Sequence, residues 1–155
     1  MNYGQHIIKA GLALLPEKMD TPAARGMLYA IAMQESRFTH RRQIRGPARG
    51  FWQFEKIGVR GVLEHRASAH IVRPVLHQLR YPDDPDAVYP ALEHNDILAV
   101  IFARLLLWRL PMVLPGPDEP QEAWNQYIAT WGPGRPHRAT WDGFFADAAA
   151  LNWSR

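Results

Sequence analysis

Apolar side chains recur every three or four residues along most of the chain, the spacing of helices buried on one face. From Tyr3 to Leu15 the pattern predicts an amphipathic helix, which Pro16 ends. Thr21-Pro22 is a second start signal, with threonine as N-cap and proline at the first helical position. Ala24, Met27, Leu28, Ile31 and Phe38 then share one side, so this helix runs to about Arg37 and Glu35 falls in its last turn. Lys56 to His65 and His70 to Leu79 predict two shorter helices. Leu92 to Leu110 reads as the longest helix; its middle is apolar all round, as in a buried central element. Pro111 and Pro115-Gly116-Pro117 stop it. A further helix starts near Asp118 to Pro120 and reaches Trp131, with Gly132 placed to cap it, and the last covers about Trp141 to Leu151.

The segments between carry breakers. Gly46-Pro47 and Gly50 make residues 39 to 54 a loop, and a small hairpin around 41 to 54 is the one strand candidate. Tyr81 to Asp86 reads as a turn-rich connector. No repeat or linker divides the chain, so the expected fold class is mainly α, a single domain over residues 1–155.

Composition narrows this only a little. At 155 residues and 47% apolar, the chain can bury a core without covalent staples, and it has no cysteine to form any. The net charge is +3, carried by fifteen arginines against three lysines. Such a balance suits an anionic partner (nucleic acid, wall polymer or membrane surface) without choosing among them. The longest apolar stretch, Ile97 to Leu110, is 14 residues long and contains Arg104 and Arg109, so no stable membrane insertion is expected. The N-terminus lacks a basic segment before its apolar run, which predicts synthesis in the cytoplasm without a secretory signal.

The chemistry concentrates around MQESRFTHRRQIRGPARGFWQF, residues 33 to 54. A carboxyl group works as a general acid when its pKa is raised toward the working pH. Burial does this by penalising the charged form, and the negative end of a helix dipole acts in the same direction. Glu35 ends a helix with Met33 and Phe38 close in sequence, while Phe51, Trp52 and Phe54 are available to cover it. The plain alternative is a solvated glutamate paired with a local arginine.

Spacing adds a resemblance. Glu35-Ser36 at a helix end, then Gly50-Phe51-Trp52-Gln53 with Gln53 eighteen residues after Glu35, resembles the lysozyme-like soluble lytic transglycosylase family, and the goose-type lysozymes more distantly. Asn95 to Leu105 is similar to that family's buried-helix block. Ala123-Trp124-Asn125-Gln126-Tyr127 and Trp131-Gly132-Pro133-Gly134-Arg135 echo its tyrosine block. The match runs in order over roughly residues 22 to 136, with departures: Phe-Trp replaces the usual Leu-Met, and Ile128 stands where the family has Asn.

The resemblance implies a lysozyme-like fold and cleavage of the β-1,4 bond between N-acetylmuramic acid and N-acetylglucosamine in peptidoglycan. It implies Glu35 as acid and then base, with no second carboxylate and no cofactor. Ser36 would orient the substrate or the local backbone, Gln53 would bond the sugar or its acetamide, and Tyr127 would hold Glu35. Gly50, Phe51, Trp52 and Trp131 would line the substrate, the aromatics stacking on sugar faces. For Trp52 and Trp131 core packing is an equal alternative, whereas Trp108, Trp124 and Trp153 read as core. A hydrolysing muramidase and a non-catalytic glycan-binding or virion module remain alternatives. The expected setting is a phage or prophage monomer reaching the wall after release or on a virion.

Other chemistries fit less well. Glu55, Glu93 and Asp96 have no spacing that marks a catalytic partner for Glu35. The seven histidines form no HExxH, and His65 and His70 do not share a helix face, so no metal site is expected. His40 to Arg45 with Arg49 make a basic patch, but no nucleic-acid-binding pattern accompanies it, so no nucleic-acid partner is expected.

Overall fold

The computed structural model describes residues 1–154 and contains eight α-helices. These are α1 (Tyr3–Leu12), α2 (Pro22–Ser36), α3 (Lys56–Glu64), α4 (Arg66–Leu79), α5 (Pro85–His94), α6 (Asp96–Trp108), α7 (Pro120–Trp131) and α8 (Arg138–Ala150). No strand occurs among the described residues; the expected hairpin is reduced to two isolated antiparallel bridges, Arg42 with Arg49 and Arg49 with Phe54. Among the described residues no helix is long and apolar enough to cross a membrane.

The helix starts follow the capping chemistry. Asn2 accepts from the Gln5 amide while the Gln5 side chain accepts from Asn2, a reciprocal cap on α1. Thr21 accepts from the Ala24 amide at 3.1 Å and caps α2. Helix α6 is the central element. Every residue from Leu98 to Leu107 is buried, and α1, α2, α3, α4, α5 and α7 pack around it. Gly11 permits α1 to cross α6 closely: a Cβ there would lie 2.5 Å from a Val100 side-chain carbon.

Several expected boundaries differ: α1 ends earlier, at Leu12, α8 starts earlier, at Arg138, and one long helix hides a break. The single helix over Leu92 to Leu110 is two helices joined at Asn95, where the backbone leaves helical geometry with φ −122° and ψ 96°. Asn95 ends α5 through its own N–H to Ala91 and starts α6 by accepting from Leu98 at 3.0 Å. The apolar period does not register the break because Leu92 and Leu98 are both buried, each from its own helix. Asp84 caps α5, so the expected connector over residues 81–86 shortens and its last two residues are helical. Similarly α4 begins at Arg66, where the His65 ring accepts from the Ala67 amide.

Candidate active site

Helix α2 stops where Arg37 and Phe38 take left-handed geometry, φ 55° and 53°, turning the chain away directly after Ser36. That stop leaves Glu35 in the final turn. Beyond it, residues 49 to 54 close a tight turn: Arg49 and Phe54 exchange both backbone hydrogen bonds at 2.9 Å. The turn needs glycine at position 50. Its φ is 77°, and a Cβ would lie 2.6 Å from the Leu92 carbonyl oxygen.

Three hydrogen bonds tie this turn to its neighbours. Ser36 Oγ lies 2.7 Å from the Phe51 carbonyl, Trp52 Nε1 donates to the Leu28 carbonyl at 2.9 Å, and Trp131 Nε1 donates to the Trp52 carbonyl at 2.8 Å. The last turn of α2, the loop and the end of α7 are therefore one hydrogen-bonded unit. From α7, the Tyr127 hydroxyl donates to Glu35 Oε1 at 2.7 Å. Tyr127 is itself fixed by Trp141 of α8, stacked on it at 5.1 Å and 8°, and by Trp124 at 5.5 Å.

The electrostatics of Glu35 follow from this setting. Burial pushes its pKa up to about 7, although the Tyr127 hydrogen bond acts in the opposite direction. Burial, then the charge and hydrogen bond of Glu35, push the Tyr127 phenol well above its ordinary range, so Tyr127 stays a donor. No ion pair involves Glu35 among the described residues. Glu35 opens onto a solvent-connected depression of about 300 Å³, lined also by Gln34, Ser36, Arg37, Thr39 and His40. It is the only carboxyl group on that lining. Of the other acids weighed, Glu93 is engaged by Arg42 and His94 at 2.8 and 2.9 Å. Asp96 is bonded by Arg41 and Tyr3. Burial works to raise the Asp96 pKa, but those bonds outweigh it and hold the carboxyl below its usual range. Glu55 is exposed at the start of α3.

The structure corrects several expected roles. Phe51 and Trp52 are 2% and 0% exposed and have no face for a sugar. They are core residues because the turn aims them inward, Phe51 edge-on to Phe38 and Trp52 onto α2. Ser36 is buried, with its hydroxyl engaged by the Phe51 carbonyl and the Phe38 amide, which orients backbone rather than substrate. Gly50 is buried and shapes the turn. The Gln53 side-chain amide donates to Gly50 of its own turn at 2.9 Å, and its side chain stays partly exposed. Trp131 is partly exposed beside Tyr127.

Two features escape a reading of the sequence. The Trp141 stack joins α8 to α7, and Gln34 bonds the His137 carbonyl and Thr140, which brings the α8 start beside the depression. Only the i, i+3, i+7 spacing of Trp124, Tyr127 and Trp131 was there to signal one aromatic face on α7. No cluster of three or more metal-ligating side chains occurs among the described residues. No family model, curated protein or solved structure matches the chain.

Proposed function

We propose that this chain is a lysozyme-like enzyme that cleaves peptidoglycan glycan strands as a lytic transglycosylase, with Glu35 as its single acid and base. One observation carries the reading: Glu35, its pKa raised to about 7, is held by Tyr127 at the rim of an open depression that has no second carboxyl group. A carboxyl with that pKa is substantially protonated near neutrality and can give its proton to a glycosidic oxygen. A two-carboxylate glycosidase needs a partner acid about 5 to 10 Å away, and none lines this site.

In the proposed reaction the muramic acid bond lies against Glu35. The Glu35 proton passes to the leaving oxygen as the bond to the anomeric carbon breaks. The sugar's N-acetyl oxygen supports the electron-poor carbon. Glu35, now a carboxylate, then takes the proton of the sugar's own 6-hydroxyl as that oxygen closes on the anomeric carbon. The proton returns to Glu35 and the product carries a 1,6-anhydro end. Tyr127 orients the carboxyl through both steps; Gln53 and Trp131 are partly exposed but lie off the lining of the depression, so they would meet the strand beyond it.

The test uses purified cell walls. Wild type should clear them and release anhydromuramyl ends by mass spectrometry, while Glu35→Gln should be slower by at least ~10²-fold. Reducing ends in place of anhydro ends would assign a hydrolysing muramidase. Equal clearing by both proteins would remove Glu35 from the chemistry, and no clearing by wild type would favour a glycan-binding or virion module.

A further inference from the structure

A second hollow lies at the other end of α2. It measures about 740 Å³, within the range of small-molecule sites, which is about 300–1,000 Å³. Thr21, on its lining, stands fourteen residues before Glu35, a helical rise of about 20 Å. Leu107, Trp108, Leu110, Met112 and Leu114 form an apolar wall. Two exposed apolar side chains, Met112 at 51% and Val113 at 90%, stand on the loop that forms part of it.

Arg104 lines this apolar hollow and is 3% exposed. Its Nε donates to the Met19 carbonyl at 2.8 Å, and its ring neighbour is Trp108 at 5.3 Å. Its two terminal nitrogens have no acceptor among the described residues, and it makes no ion pair. The carboxylate whose field reaches it, Asp20, is already held by Arg25 at 2.7 and 3.0 Å. Burial pulls the Arg104 pKa down to about 10, although the charge of Asp20 acts in the opposite direction. The terminal nitrogens keep only slight contact with solvent, and an anion with matching oxygens would displace that water. Two further groups suit an anion. Lys18 Nζ lies 5.4 Å over the Trp108 ring, and the Thr21 hydroxyl, which accepts from Ala24, still has its own proton to donate.

We propose that this hollow binds an anionic amphiphile, a molecule with one carboxylate head on Arg104 and an aliphatic tail along the Leu107–Leu114 wall. A guanidinium fork matches a single carboxylate with two parallel hydrogen bonds. The surrounding leucines and Met112 offer nothing to a polar tail. The site is independent of Glu35 and of the reaction proposed there.

The test is titration calorimetry with dodecanoate below its micelle concentration, against dodecanol, which lacks the charged head, and acetate, which lacks the tail. Dodecanoate should bind saturably at one per chain, at least about tenfold more tightly than either control, the increment of one buried charge-assisted pair. Arg104→Gln should weaken dodecanoate by at least about tenfold and leave dodecanol unchanged. Because Arg104 is buried in the central helix, Met112→Glu is the second variant: it sits on an exposed loop, and its carboxylate would repel the ligand with the fold intact. Glu35→Gln should bind like wild type. The proposal fails if dodecanoate does not saturate, if dodecanol binds equally well, or if Met112→Glu binds dodecanoate as tightly as wild type.

Discussion

Glu35 combines two demands that oppose one another. A raised pKa keeps the proton available, yet it also means that ionising Glu35 costs the folded state free energy. Its folded pKa of about 7 lies above the ordinary glutamate value of 4.5. The stabilising share is therefore complete below about pH 4.5 and is lost as pH rises through about 7. Glu35→Gln keeps the shape and an acceptor for Tyr127 without ionising. It should match wild type in denaturant melts at pH 4 and exceed it by about 1 to 3 kcal/mol at pH 8. Tyr127→Phe makes the complementary change. The phenol bond favours the carboxylate, so losing it should raise the Glu35 pKa further. The alkaline limb of the pH–rate profile should then move up by about one unit, and the maximal rate should fall because the carboxyl is no longer oriented. A limb that stays in place would separate Tyr127 from the titration of Glu35.

The elements that carry these residues differ in how openly the sequence announces them. The start of α2 is written in Thr21-Pro22 and the end of α7 in Gly132, which takes φ 51°, because caps and left-handed stops act within a few residues. The break at Asn95 is local too, but the unbroken apolar run across it conceals the change of helix. The turn over residues 49–54 is a third kind. Its glycine is legible as a breaker, whereas the reason glycine is required there, the Leu92 carbonyl, lies on another helix. Gly50→Ala should thus cost more than an ordinary turn substitution. Left-handed geometry and a backbone clash together predict a loss of about 2 to 4 kcal/mol by denaturant unfolding. Wall-clearing activity should fall with it, since the same turn positions Gln53 and anchors Trp131.

At the scale of the whole molecule, the site depends on a pairing across 92 residues, Tyr127 to Glu35, which no local pattern encodes. The side-chain directions of Phe51 and Trp52 were hidden for the same reason: aromatic residues beside a motif look alike whether they face a ligand or the core. Charge is the other property that only the whole chain sets. The net +3 is distributed so that Arg37 and His40 line the depression and Arg45 stands exposed on the adjoining loop without an ion pair. That arrangement places positive potential where an anionic wall polymer would approach. At low ionic strength the attraction extends over tens of ångströms, and at 0.5 M salt it is confined to a few. Wall clearing by wild type should accordingly slow by about tenfold between about 0.02 and 0.5 M salt. The double variant Arg37→Gln, Arg45→Gln should start slower and depend less on salt, with its thermal stability lowered only slightly, because neither side chain holds an ion pair and only the contact of Arg37 with the Phe144 ring is lost. If both proteins show the same salt curve, approach to the wall is not steered by this face, and the arginine-rich loop between α2 and α3 needs a different explanation.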